Sequence, residues 1–170
     1  GEALEFFMMD RTEVSVDVDN FDPATLLPDG ADAENFIFSN SAADAPPVPT
    51  YGGTVAGVVA FGTLANGIDW REDTVEFDIA SPDGYERQRY DYDGANAVEQ
   101  TDIVNMAADV FETDETIALL VDYHESDAGN GVQLLLVDLD ESGGLNVGDL
   151  AIAFIGVEKN DFIDGVSIDF

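Results

Sequence analysis

Residues Asp138–Asp149, DLDESGGLNVGD, carry oxygen-bearing side chains at the spacing of a twelve-residue calcium loop. Asp138, Asp140, Ser142, Asn146 and Asp149 stand at loop positions one, three, five, nine and twelve. Gly144, at position seven, offers its backbone carbonyl. Gly143 falls at position six, where the chain must turn sharply and a Cβ is costly. Leu145 supplies an apolar residue to tie the loop to a core. The departure is Asp149, where the usual residue is a bidentate Glu. Asp is one carbon shorter, so the chain must come closer or bind through one oxygen. The competing reading is an acidic β-turn in a very acidic chain. The placement of the glycine and the leucine, and not only of the acids, favours Ca2+.

Other groups of side chains carry less. Asp91, Asp93 and Asn96 surround Gly94 and form a second, smaller candidate metal site, or a solvated turn before a helix. Asp122, Glu125, Asp127 and Asn130 gather in one stretch that reads more simply as a hairpin turn. His124 is the single histidine and sits among hydrophilic residues, which argues against nucleophilic catalysis. Carboxylate pairs are too common here to indicate glycosidase chemistry. Trp70, Tyr85, Tyr90 and Tyr92 suit a sugar platform, but aromatics in alternating strands are more often core or cross-strand pairs. Arg87 and Arg89 could hold an acidic partner, although local Asp and Glu far outnumber them.

The charge narrows the class of partner. Among 170 residues, 37 are acidic and 5 basic, a formal net charge of -32. Nothing on such a chain could neutralise phosphates, which argues against DNA or RNA, and an anionic membrane surface would repel it. Self-repulsion of this size calls for cations, from high salt or from an extracellular medium containing calcium. Asp outnumbers Glu by 24 to 13, which leans toward calcium loops, since the short Asp side chain suits tight turns. There is no cysteine, which removes disulfides, thiol catalysis and thiolate metal sites. The hydrophobic content of 45% is enough for a packed core. The chain starts at Gly1 with no signal-peptide pattern, and so reads as a processed product or a fragment. Its apolar runs are too short to span a bilayer.

The elements that must position the loop are mostly short strands between Gly, Asp, Asn and Pro turns. Alternation predicts strands over Thr12–Asp19 and Thr74–Ala80, the latter with Val75, Phe77 and Ile79 on one side. Asn35–Ser39, Gly53–Gly62, Ile117–Tyr123, Val132–Val137, Leu150–Val157 and Val166–Phe170 also read as strands. Tyr85–Tyr92 is expected to form a hairpin with Thr74–Ala80 across Ser81–Gly84. One helix is predicted at about Ala97–Phe111, with Val98, Ile103, Met106, Ala107 and Val110 at helical spacing. Asn40–Thr50 is a proline-containing loop, and the acidic stretch Asp19–Asp32 is irregular. The calcium loop therefore lies between two apolar strands rather than two helices, which argues against an EF-hand protein. No internal repeat is present, the nonapeptide repeat of calcium β-rolls included.

From about Ala97 to Phe170 the order of motifs is a helix, TIALLVDY, DAGNG, VQLLLVD, DLDESGG, DLAIAFIGV and the acidic, apolar NDFIDGVSIDF. This resembles the C-terminal region of type I-secreted, RTX-associated calcium-binding bacterial surface proteins, S-layer and adhesin-like members among them. The resemblance implies that Asp138, Asp140, Ser142, Gly144, Asn146 and Asp149 hold calcium. It also implies that the tail is an uncleaved secretion signal, and that the protein folds outside the cell.

The expectation is a mainly β, single β-sandwich-like domain over residues 1–170 with one α-helix. It would be a non-enzymatic extracellular calcium-binding structural protein, a subunit or anchoring domain of a surface layer, filament or matrix. Self-association is expected, with Leu4, Phe6, Phe7 and Met8 of the apolar run Leu4–Met9 as a docking strand and divalent cations bridging acidic surfaces. The alternative is an extreme-halophile, haloarchaeal surface or filament protein whose acidic surface reflects salt adaptation, with no specific calcium site. An extracellular hydrolase or sugar-binding module has only the aromatics and acids in its favour.

Overall fold

The computed structural model describes residues 12–17, 34–39, 50–51, 63–65, 73–92, 100–125, 132–155 and 168–170. The described elements are β1 (Thr12–Asp17), β2 (Glu34–Ser39), β3 (Thr63–Ala65), β4 (Thr74–Phe77), β5 (Gly84–Tyr92), α1 (Gln100–Val110), β6 (Ile117–Glu125), β7 (Val132–Val137), β8 (Leu150–Ile155) and β9 (Ile168–Asp169). They form two sheets, β1-β2-β4-β9 and β3-β8-β7-β6-β5. The fold is mainly β with one helix among the described residues, as the alternating and apolar runs predict.

Period-two alternation and continuous apolar runs have different fates. In the first sheet Phe36, Phe38, Val75 and Phe77 face inward. They meet Ala118, Leu120, Leu135, Val137, Leu150, Ile152 and Phe154 of the second sheet in one core. The opposite face of the second sheet, from Leu119, Val121, Leu134, Leu136, Ala151 and Ala153, packs against Ile103, Ala107 and Phe111 of α1 and its end. The layers are therefore sheet, sheet and helix. Strands β6, β7 and β8 are buried on both faces, which is why their sequences lack alternation.

Helix α1 buries Ile103 and Ala107, with Val104, Met106 and Val110 half-buried beside them, a stripe at helical spacing. It is 11 residues long and joins β5 to β6, which pair in parallel. Parallel neighbours need such a crossover, because a tight turn reverses the chain.

That requirement corrects the expected hairpin of Thr74–Ala80 with Tyr85–Tyr92. β4 belongs to the first sheet and β5 to the second, so residues 78–83 carry the chain between layers. Asp83 secures the crossing, with its N–H donating to Thr116 O at 2.7 Å and its Oδ2 accepting from Thr116 N at 3.0 Å. The run Leu4–Met9, the stretch Gly53–Gly62 and the first residues of the expected helix, 97–99, lie outside the described residues.

Candidate metal centre

The loop Asp138–Asp149 is the connection of an antiparallel hairpin. β7 and β8 pair along their length, and their last pair is Val137 with Leu150. Asp138 and Asp149 are the next residues outward, so the hairpin itself brings loop positions one and twelve together. Both carboxylates are buried, Asp138 at 0% and Asp149 at 1% exposure, whereas Asp140 is exposed. One carboxylate oxygen from each of the three lies within 4.8 Å of the others, close enough that the group could hold a metal ion. Three charges this close repel by roughly 3–4 kcal/mol per pair at an effective dielectric constant near 20, which a bound cation would reverse.

Backbone amides hold the two buried carboxylates in place. Asp138 accepts from Ser142 N at 3.1 Å and from Gly143 N at 2.7 Å. Asp149 accepts from Leu139 N at 3.0 Å and from Asn146 N at 2.7 Å. These bonds use part of each carboxylate's accepting capacity and fix its direction.

The polar positions between them also converge. Asn146 Nδ2 lies 3.2 Å from each Asp140 carboxylate oxygen, 2.7 Å from Ser142 Oγ and 3.3 Å from Gly144 O. Ser142 Oγ donates to Gly144 O at 3.1 Å. An amide nitrogen has two hydrogens, so four oxygens around it exceed what it can satisfy. They mark a point of strong negative potential at loop positions three, five and seven. The Asn146 amide turned about its last bond would add a fifth oxygen. The donor set is oxygen throughout, the kind that hard divalent cations take.

The loop is anchored from three sides. Leu145, 6% exposed, enters the helix-side core. Thr113 forms an antiparallel bridge with Ser142, and Asp114 N donates to Glu141 O at 3.1 Å. Tyr51 N donates to Asp149 O at 2.7 Å, and Gly148 N to Tyr51 O at 3.1 Å. Asp138 N donates to Ile117 O at 3.1 Å, which joins the start of the loop to β6. Sequence reasoning missed the brace at residues 111–116 and the tie to Tyr51. Neither leaves a mark in local composition, because both are backbone contacts between distant segments.

Gly143 has φ 79°, and a Cβ there would lie 3.1 Å from Thr113 Oγ1. Gly143→Ala is expected to cost about 1–2 kcal/mol from the left-handed backbone alone, a fall in Tm of roughly 2–8 °C for a chain of this size. Gly144→Ala meets nothing within 4 Å and should leave the melt nearly unchanged. Equal shifts for the two variants would contradict the observed turn.

Burial pushes the Asp149 carboxyl up to about 6, against the lowering effect of the Asn146 and Leu139 amides. Burial likewise raises Asp138, opposed by the Gly143 and Ser142 amides. Hydrogen bonding from Ser142 and Asn146 holds Asp140 below the ordinary carboxylate value. Because Asp149 titrates higher folded than unfolded, its protonated form stabilises the cation-free fold. That contribution is complete below about pH 4 and is lost as pH rises through about 6. A cation needs the ionised form, so its effect has the opposite trend. The rise in Tm given by a divalent cation should therefore be small at pH 5 and large at pH 7.5, and Asp149→Asn should flatten this difference. A pH-independent rise in wild type would contradict it.

Of the second candidate site, Asp91 lies in β5 opposite His124, while Asp93 and Asn96 fall outside the described residues. Asp122 accepts from Gln133 Nε2 at 2.6 Å across the β6–β7 pair, while Asp127 and Asn130 fall outside the described residues. Leu4, Phe6, Phe7 and Met8 fall outside them as well. No helix among the described residues is long and apolar enough to cross a membrane. No family model matches the chain, and neither a curated protein nor a solved structure matches it, so the functional argument rests on the site itself.

Proposed function

We propose that this chain is a non-enzymatic extracellular structural protein that binds Ca2+ in Asp138–Asp149 and serves as a subunit or anchoring domain of a surface layer, filament or matrix. The observation that carries this reading is the convergence of Asp138, Asp140 and Asp149 in a loop whose Ser142, Gly144 and Asn146 oxygens and amide surround one point. Calcium takes six to eight oxygen ligands in flexible geometry, which suits a set of carboxylate, hydroxyl, amide and backbone carbonyl oxygens. Extracellular sites of this type bind on the order of 10⁻⁴–10⁻³ M, so the loop would fill outside a cell and empty within it. The ion would then lock β7, β8, the 111–116 brace and Tyr51 into one unit. The likeness of residues 97–170 to RTX-associated surface proteins, with export by type I secretion, agrees with this.

Assembly is the second half of the reading. An apolar segment such as Leu4–Met9 of one copy can add to a sheet of the next through main-chain hydrogen bonds. Electron microscopy and sedimentation of the full chain in millimolar calcium test this. Polymers or layers should form, and deletion of residues 4–9 should abolish them without changing the melt. Monomers under every calcium concentration would overturn the assembly.

A second reading has its own support: a halophile surface protein whose acids answer only to salt. Asp102, Asp109, Glu112, Asp114 and Glu115 are all exposed along α1 and the segment after it, and no basic residue offsets the dipole in the last helical turn. On that reading molar sodium chloride alone stabilises the fold, and calcium adds nothing.

A further inference from the structure

Beside the inter-sheet core is a cavity of about 110 Å³ lined by Arg87, Gln88, Arg89, Leu120, Asp122 and Gln133. The strand register explains its chemistry. Arg89 stands opposite Asp122, and Asp122 opposite Gln133, across β5, β6 and β7. Alternation puts Arg87, Leu120 and Leu135 on that same face, since Leu120 and Leu135 belong to the core between the sheets. A cationic edge therefore runs into an acidic and amide interior over two strand spacings, roughly 10 Å.

Gln133 makes this more than a surface ion pair. It is fully buried in a strand of leucines and valines, and its Nε2 donates to Asp122 Oδ1 at 2.6 Å. A carboxylate can only accept, so the amide's orientation is fixed and Oε1 is left as the acceptor. Oε1 is buried and accepts no hydrogen bond among the described residues. A buried acceptor left this way costs about 1–3 kcal/mol, which a ligand's donor would recover. Arg87 also lies over the Tyr85 ring, 5.7 Å from its centroid. Each guanidinium has five N–H donors, so existing partners do not exhaust it.

We propose that this cavity binds a small α-amino acid as its zwitterion. The carboxylate meets the Arg87 and Arg89 guanidinium groups, the commonest bidentate pairing for that anion. The ammonium group meets Asp122 and the Gln133 amide oxygen. A chain of net charge -32 repels free anions, but a zwitterion carries no net charge and is not excluded. The volume limits the side chain to that of glycine, alanine or serine. This inference is independent of the calcium loop, which lies at the other end of β7.

The test is calorimetric titration of the full chain with glycine and alanine at fixed salt and calcium. The controls are acetate, methylamine and glycine betaine, which has no N–H donor. Saturable binding of glycine is expected, at least about tenfold weaker for each control. Arg87→Gln lies on the exposed rim and leaves the core intact; it should weaken glycine binding by about tenfold, as should Gln133→Leu. A Gln133→Leu chain that fails to fold leaves the Arg87→Gln result to decide. No saturable heat with glycine, equal binding of acetate, or unchanged binding by Arg87→Gln would overturn the proposal.

Discussion

Replacing Asp138 and Asp140 together by asparagine is expected to abolish the stabilisation that calcium gives. For a site with Kd on the order of 10⁻⁴–10⁻³ M, 10 mM calcium is ten to a hundred times Kd. The corresponding stabilisation is about 1.4–2.7 kcal/mol, or roughly 3–11 °C in Tm for a chain of this length. Asparagine keeps an acceptor for the Ser142 and Gly143 amides that Asp138 now serves. It also removes two of three crowded charges. Without calcium, in low salt at pH 7.5, the variant should therefore melt no lower than wild type. The two effects have opposite signs, which separates loss of a binding site from general damage. A variant that still gains the full calcium shift would place the stabilising ions elsewhere.

Phe77→Ala should have the largest effect on the fold. Phe77 is 1% exposed between the sheets. It stacks on Phe38 at 5.4 Å and on Phe170 at 5.9 Å, and meets Phe154 edge-on at 6.5 Å. It thus joins β2, β4 and the residue after β9 to β8 of the opposite sheet. Truncation of a buried phenylalanine costs about 3–5 kcal/mol through lost transfer energy and the cavity left behind. That is a large part of a typical domain's stability. Chemical denaturation should show one cooperative transition shifted to lower denaturant. Val147→Ser, at a residue 70% exposed, should leave the midpoint in place. A Phe77→Ala midpoint as little changed as that of Val147→Ser would mean that the two sheets do not share a core.

The parts of this fold legible in the sequence are those set by short-range rules. Val132–Val137 was readable to the residue because a run of apolar β-formers ends at an acidic turn. The helix was readable from the spacing of Ile103, Ala107 and Val110. The loop was readable because Gly143 and the flanking acids answer to local geometry, and the observed positive φ at Gly143 has that origin. What failed was pairing. Ser81–Gly84 has turn residues, but the sequence does not say that the turn leaves one sheet for another. The parallel partners of β1, β2, β4 and β9 are also set by distant packing. The same holds at the site, where Thr113, Asp114 and Tyr51 reach the loop through backbone bonds that any residue could make. Gln133 was legible only as an interruption in an apolar strand. Its meaning depends on Asp122 across the sheet.

The most direct test of the account is equilibrium calcium binding measured in molar sodium chloride, where nonspecific attraction to the acidic surface is screened within about 3 Å. The account predicts saturable uptake with Kd on the order of 10⁻⁴–10⁻³ M and one fewer ion bound per chain when Asp138 and Asp140 are both replaced by asparagine. Uptake that vanishes in molar salt, or that is the same in wild type and variant, would contradict it and leave Asp138–Asp149 an acidic turn on a salt-adapted protein.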